Sequence, residues 1–333
     1  MKKVVVLGAG AWGLTMADLL AGNGHEVSVW DRSAQAVSEL TLTHKRSTFP
    51  GEKLHDGVSY HSDLDAALAG CEIVVGAVPS YGLRGIFPAV LTARPRVFIN
   101  CSKGIEAETL LLPGGIFNEL KGDSDVAYAV LAGPSHAEEV CRNVPTAVVA
   151  ASLNSEIATL VQEIFSRPTF RVYTSSDCTG VELGGALKNV IAIAAGACDG
   201  MGFGDNTKAA LLTRGVAEIG RAARAMNADP ATVMGLSGVG DLVVTAMSKH
   251  SRNRRFGELV ATGLSPADAL EKVGAVVEGY LTSKSAYQMS ERTGVDMPII
   301  TAIYQCLYEG VSPHNAVMNL MTRELAAEIP RAH

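Results

Sequence analysis

This chain of 333 residues has few of the features that announce metal, membrane or nucleic-acid chemistry. Its six cysteines stand at 71, 101, 141, 178, 198 and 306, none in a C-x-x-C pair and none beside a histidine cluster. That pattern argues against a zinc site and against a disulfide framework. It predicts reduced thiols in a cytoplasmic protein with no bound metal. No uninterrupted run of about 18 apolar residues is present, so no membrane span is expected. Lys2-Lys3 and the apolar run behind it look superficially like a secretory signal, but Asp18 interrupts the run and no clean cleavage site follows. No amphipathic basic helix asks for a membrane surface. Basic residues are dispersed and the net charge is −6. The one dense basic cluster is short and lacks interleaved aromatics, so nucleic acid is not an expected partner. Repeats, low-complexity segments and a Gly/Pro-rich linker are also missing.

What is present begins at once. Lys2-Lys3-Val4-Val5-Val6-Leu7 reads as a short apolar strand that runs into Gly8-Ala9-Gly10-Ala11-Trp12-Gly13, with an amphipathic stretch from Leu14 to about Ala21. A G-x-G-x-x-G between a strand and a helix is the dinucleotide fingerprint. Gly8 allows the tight turn, Gly10 lets a pyrophosphate approach the backbone, and Gly13 lets helix and strand pack closely. The open N–H groups at the helix start then face phosphate. A second strand, Glu26–Trp30, ends at Asp31, where an acidic side chain holds a ribose hydroxyl of NAD. Arg32 beside it suits the extra phosphate of NADP, so either cofactor is permitted. A plain βα turn and an S-adenosylmethionine site are the alternatives.

The first half alternates strands (Val4–Leu7, Glu26–Trp30, Ile73–Val78, Val97–Asn100, Val126–Leu131, Thr146–Ala151, Phe170–Thr174) with helical stretches. This predicts an α/β, Rossmann-type doubly wound parallel sheet covered on both faces. After Cys178, Ala, Leu, Ile, Met and Gly dominate in helical patterns, which predicts an all-α C-terminal domain. The expected division is a dinucleotide domain over 1–178 and a helical substrate and catalytic domain over 179–333, packed firmly with a cleft between them. The apolar helical half makes a homodimer the expected assembly. Strand ends in such a sheet face the ligand. Pro79-Ser80, Cys101-Ser102-Lys103-Gly104 and Ala132-Gly133-Pro134-Ser135-His136-Ala137 therefore converge on one end of the cofactor.

Val181–Gly196 is apolar on nearly all sides and is expected to be the buried central helix. Lys188 and Asn189 are anomalies on it. A lysine there either snorkels, pairs, or lines a wet cavity. Desolvation and nearby positive charge lower a lysine pKa toward the working range of a general base. Further on, Gly238-Val239-Gly240-Asp241-Leu242 precedes Ser251-Arg252-Asn253-Arg254-Arg255. Serine, arginine and asparagine donors opening a helix suit one phosphate group; a solvated charge run is the plainer reading.

Together these residues resemble the bacterial-type NAD(P)-dependent glycerol-3-phosphate dehydrogenases over nearly the whole chain. The resemblance rests on the glycine loop, Ser102-Lys103-Gly104, Gly133-Pro134-Ser135-His136-Ala137, Leu187-Lys188-Asn189, Gly238–Leu242, Ser251–Arg254 and Val277-Glu278-Gly279. It implies reversible hydride transfer between dihydroxyacetone phosphate and sn-glycerol 3-phosphate, supplying glycerophospholipid synthesis. It implies Lys188 as proton acceptor. Lys103, Gly133, Ser135, Asp241, Ser251, Arg252 and Asn253 would be substrate contacts, the phosphate falling to Arg252 and Asn253. Ala11, Trp12, Arg32, Lys103, Ala137, Arg252, Val276 and Glu278 would be cofactor contacts. Lys103 and Lys188 are expected to flank one oxygen and depress each other's pKa, with Asp241 orienting Lys188. Asp31 departs from many members and leaves strict NADP preference in doubt. A β-hydroxyacid or 6-phosphogluconate type of dehydrogenase, a non-catalytic nucleotide sensor and a methyltransferase are the competing readings.

Overall fold

The structure is a computed structural model that describes residues 1–328. The expected helical half was drawn to 333; residues 329–333 lie outside the described residues.

Eight strands form one sheet: β1 (Lys3–Leu7), β2 (Glu26–Trp30), β3 (Val58–His61), β4 (Ile73–Gly76), β5 (Val97–Asn100), β6 (Ala127–Ala132), β7 (Thr146–Ala151) and β8 (Phe170–Ser175). Their order is β3-β2-β1-β4-β5-β6-β7-β8. The middle strands β4 and β5 are buried throughout. Helices cover both faces there, which is why these strands read as unbroken Val/Ile/Phe runs rather than alternating ones. The chain reverses sheet direction between β1's two neighbours, since Leu7 pairs with Trp30 on one side and Gly76 on the other. That switch point, at the carboxyl ends of β1 and β4, is where such sheets open a ligand crevice.

The sheet departs from the all-parallel expectation in one place. β6 and β7 run antiparallel, with Val130 opposite Ala151, while β7 and β8 are parallel to each other. After β6 the chain carries Gly133–Ala137 around the strand ends and turns straight back beside β6, without the crossover helix that a parallel neighbour needs. The short edge strand β3 and the helices Pro113–Lys121 and Asp241–Met247 were not anticipated.

From Cys178 on, the described residues form no strand. The central helix, Cys178–Gly200, starts at an Asp177 cap whose side chain accepts the Gly180 N–H. It is buried from Gly180 to Gly196. It is long and apolar enough to cross a membrane despite Glu182, Lys188 and Asp199, but it is sheathed by protein. The segment Pro230–Met247 also meets that length and composition. It is broken at Met234-Gly235 and changes from α to π winding over Leu236–Gly240. The arginine helix, Arg252–Ala261, and the helix Glu278–Thr293 pack on the central helix.

Candidate functional site

The glycine loop is open to a ligand where the fingerprint requires it. Gly8 has φ +109°, and a Cβ there would lie 2.8 Å from the Ala77 carbonyl oxygen. A Cβ on Gly13 would meet the Gly8 carbonyl at 1.9 Å, whereas one on Gly10 would meet nothing within 4 Å. Gly10 caps the helix Ala11–Gly22 with no side chain on its N–H groups. The helix start is thus free for phosphate, and the residues present fit a dinucleotide. Trp12 is half-buried and leans on the core of the sheet. Asp31 folds back on the loop: its Oδ2 accepts the Ala9 N–H at 3.0 Å and its Oδ1 accepts the Ser33 N–H at 2.9 Å. Arg32 is exposed.

Across the crevice, two lysines share one carboxylate. Lys188 Nζ donates to Asp241 Oδ1 and Thr245 Oγ1, each at 2.6 Å. Lys103 Nζ donates to Asp241 Oδ2 at 2.5 Å, its stem lying over Gly185 of the central helix. The side chains of Lys188 and Asp241 are almost fully buried, and that of Lys103 is about a fifth exposed. Burial brings the Lys188 pKa down to about 8; Asp241 opposes the fall and Lys103 adds to it. Burial also pulls on Lys103, but Asp241 outweighs it and leaves Lys103 above the ordinary lysine range. Depression is therefore one-sided, not mutual as expected from sequence. Asp241 itself is resisted by burial, yet two ammonium groups hold it below the usual carboxylate range.

The loop carrying Lys103 is fixed from behind. Asn100, fully buried at the end of β5, accepts the Ser102 N–H at 3.0 Å and donates to the Ser102 carbonyl at 3.0 Å. The same amide donates to Glu182 on the central helix at 3.2 Å. Glu182 also accepts from Tyr128 Oη and from the Gly114 N–H at 3.1 Å. Burial raises the Glu182 pKa to about 7 against these donors.

The candidate phosphate end lies at the arginine helix. Ser251 caps it, its Oγ accepting the Arg254 N–H at 3.2 Å, while its carbonyl accepts the Arg255 N–H. The Arg252 and Asn253 N–H groups have no partner among the described residues. Arg252 is exposed. The Asn253 carboxamide is already committed: it donates to Asn189 Oδ1 and accepts the Gly279 N–H, both at 2.9 Å. Asn189 in turn donates to Glu278 at 3.3 Å. Asn253 thus keeps only its backbone N–H uncommitted among the described residues, while its side chain ties three helices together. Arg254 is held away by Asp199 at 2.6 Å.

On the sheet side, Gly133 sits at φ +152°, where a Cβ would strike the Val148 Cα at 2.9 Å. Ser135 donates to the Gly133 carbonyl at 3.0 Å. Ala137 opens a four-residue helix. Val276 is exposed, two residues before Glu278. Three polar residues of this region escaped sequence reading. Thr245 donates to the Asp241 carbonyl at 2.6 Å, so its lone pairs face Lys188; one helical turn beyond Asp241 was the available signal. Glu182 gave a signal only as a second charge on an apolar helix. Arg46 gave none.

An open glycine loop facing a buried, neutralisable amine is the layout of a nicotinamide-dependent dehydrogenase of the two-part, helical-tail class. Family comparison narrows this. The models for the NAD-dependent glycerol-3-phosphate dehydrogenase N-terminus and C-terminus match residues 3–158 and 177–318. The chain belongs to that family. It is 46% identical over 331 residues to the glycerol-3-phosphate dehydrogenase (NAD(P)+) of Geobacter sp. strain M21, covering 98% of this chain and 99% of that one. The corresponding protein of Pelotomaculum thermopropionicum is 49% identical over 325 residues, covering 96% and 93%. The crystal structure of glycerol-3-phosphate dehydrogenase from Coxiella burnetii superposes with a TM-score of 0.92 at 33% identity, covering 97% and 99%.

Proposed function

We propose that this chain interconverts dihydroxyacetone phosphate and sn-glycerol 3-phosphate with NAD or NADP, supplying glycerophospholipid synthesis, and that Lys188 is the proton donor and acceptor. The observation that carries the reading is the hydrogen-bond count at Lys188 Nζ. An ammonium has three N–H donors, and two are spent on Asp241 and Thr245. The third is left for a substrate oxygen. In the neutral amine the same two acceptors take both N–H groups and leave the lone pair in that position. One geometry therefore serves as acid in reduction and as base in oxidation. Bound nicotinamide supplies or accepts the hydride at the substrate's C2. Lys103, raised and paired, stays charged and stabilises negative charge on the reacting oxygen. Arg252 and the open N–H groups of the arginine helix hold the phosphate. Gly133 and Ser135 border the substrate from the sheet side. Ala11, Trp12, Ala137, Val276 and Glu278 border the cofactor.

Within the same proposal, residues 1–178 form the dinucleotide domain and the helices from 179 the substrate and catalytic domain, with Lys103, Gly133 and Ser135 reaching the substrate from the first and Val276 and Glu278 reaching the cofactor from the second. The apolar core around Val4, Val6 and Leu14 draws only on the first half and supports this; the one around Leu187, Ile191 and Ile300 comes mainly from the helical half and takes in Ile105, Leu110 and Leu112 of the first. A cytoplasmic homodimer completes the proposal; the exposed Met234, Met247 and Leu281 on the helical half suit a second copy.

Two measurements test it. With Lys188 near 8, kcat/KM for glycerol 3-phosphate is expected to rise with pH through about 8, because the neutral amine is the base. For dihydroxyacetone phosphate it is expected to fall over the same interval, because the ammonium is the acid. Profiles that move in the same direction in both assays would remove Lys188 as the shared group. Arg252→Ala is expected to raise KM for the phosphorylated substrate about 10- to 100-fold, the loss of one charge-assisted contact. An unchanged KM moves the phosphate elsewhere.

A further inference from the structure

We propose that Arg46 is the residue through which this site accepts the 2′-phosphate of NADP, by releasing Asp31 when that phosphate is present; the proposal rests on the dinucleotide reading of the glycine loop. Asp31 alone would select NAD, since a carboxylate at the end of β2 accepts ribose hydroxyls and repels a phosphate there. In this chain the carboxylate is already occupied. A carboxylate offers about four acceptor positions. The Ala9 N–H and the Ser33 N–H take one on each oxygen, at 3.0 and 2.9 Å. Arg46 Nη1 stands 3.4 Å from Oδ2 and takes a third. Too little is left to grip both hydroxyls of a ribose diol, so the usual discrimination toward NAD is blunted.

Arg46 supplies the opposite preference. It follows the left-handed turn at His44, φ 49°, and reaches back over the glycine loop to donate to the Ala9 carbonyl at 2.7 Å. Both contacts use the same nitrogen. Nε and Nη2 have no partner among the described residues, and the side chain is about a fifth exposed. A guanidinium with two unspent donors in a planar fork is matched to a phosphate. Arg32, exposed and next to Asp31 in the chain, adds a second positive charge. With NAD bound, Arg46 stays on Asp31 and cancels its charge. With NADP bound, the fork turns to the phosphate, and Asp31 keeps its two backbone N–H partners. One pocket then reads both cofactors without a change of fold.

Direct binding tests this without turnover. Purified full-length chain is titrated calorimetrically with NAD, NADP, ADP and 2′,5′-ADP, and its melting temperature is recorded for each variant. Wild type is expected to bind both dinucleotides, and 2′,5′-ADP more tightly than ADP. Arg46→Ala is expected to weaken NADP and 2′,5′-ADP about 10- to 100-fold while NAD and ADP change less than about threefold. Arg46→Lys keeps the charge without the fork and is expected to fall between. Equal weakening of both dinucleotides in Arg46→Ala, at unchanged melting temperature, would make Arg46 a brace for the loop and overturn the proposal. Wild type that binds NAD but not 2′,5′-ADP overturns it as well, and wild type that binds neither dinucleotide overturns the nucleotide reading beneath it.

Discussion

Lys188→Met is expected to lower kcat about a thousandfold in both directions and to leave dinucleotide affinity within about twofold, the range that loss of a positioned acid–base group produces. Methionine is chosen because it fills the space of the buried stem and leaves no cavity. Lys188→Ala is expected to abolish turnover as well, with an added stability cost from the void. Asp241 keeps Lys103 as a counter-ion at 2.5 Å, so neither variant strands a buried carboxylate. Lys188→Arg separates two roles. An arginine retains positive charge near Asp241 but never yields a lone pair at working pH. If position 188 only anchors charge, the arginine variant keeps much of the wild-type rate. If it moves a proton, the arginine variant is as slow as the methionine one. Steady-state rates in both directions, with coenzyme binding measured by titration, decide between them, and wild-type-like turnover in Lys188→Met takes the residue out of the mechanism.

The parts of this site that the sequence made legible are those whose signal is local. The glycine loop is read from six consecutive residues between a strand and a helix. Lys188 stands out because a charge on a helix apolar all round breaks the pattern it sits in. The parts that stayed hidden are pairings between distant residues. Tyr128, Gly114 and Asn100 meet Glu182 across 54, 68 and 82 positions. Arg46 lies 37 positions from Ala9, whose carbonyl it meets. No period or composition encodes such meetings. The helix Pro113–Lys121 was missed for a local reason: Pro-Gly-Gly reads as a turn. Here the proline takes the first helical position, and Gly114 admits the Glu182 and Tyr128 side chains, a Cβ there meeting both at 3.1 Å. The mutual depression of the two lysines failed because charge counting treated Asp241 as belonging to Lys188, whereas each of its oxygens serves one amine.

Gly257→Val is expected to do severe damage through backbone contact alone, without touching the polar site. The central and arginine helices cross with glycines facing each other's main chain. A Cβ on Gly257 would lie 1.9 Å from the Ile193 carbonyl oxygen, and one on Gly196 would lie 1.8 Å from the Arg254 carbonyl oxygen. Neither neighbour is a flexible side chain that can swing aside, so the helices must separate. Overpacking of this kind costs about 1–3 kcal/mol and more where backbone must move. A fall in melting temperature on the order of 5–10 °C, or failure to accumulate folded protein, is expected. The arginine helix carries Arg252 and the Asn253 link to Asn189, so a displacement of about 1 Å also misplaces the phosphate relative to Lys188 and lowers kcat by about a hundredfold in whatever folds. Gly220→Ala is the matched control. It lies within the helix Asp205–Ala225, and a Cβ there meets nothing within 4 Å. Alanine in an open helical position is expected to raise stability by about 0.5–1 kcal/mol and leave kinetics unchanged. Calorimetric melts and kinetics on both variants separate a general sensitivity to lost glycine from the specific demand of this crossing. A Gly257→Val protein that melts and turns over like wild type would show that the two helices are not in backbone contact.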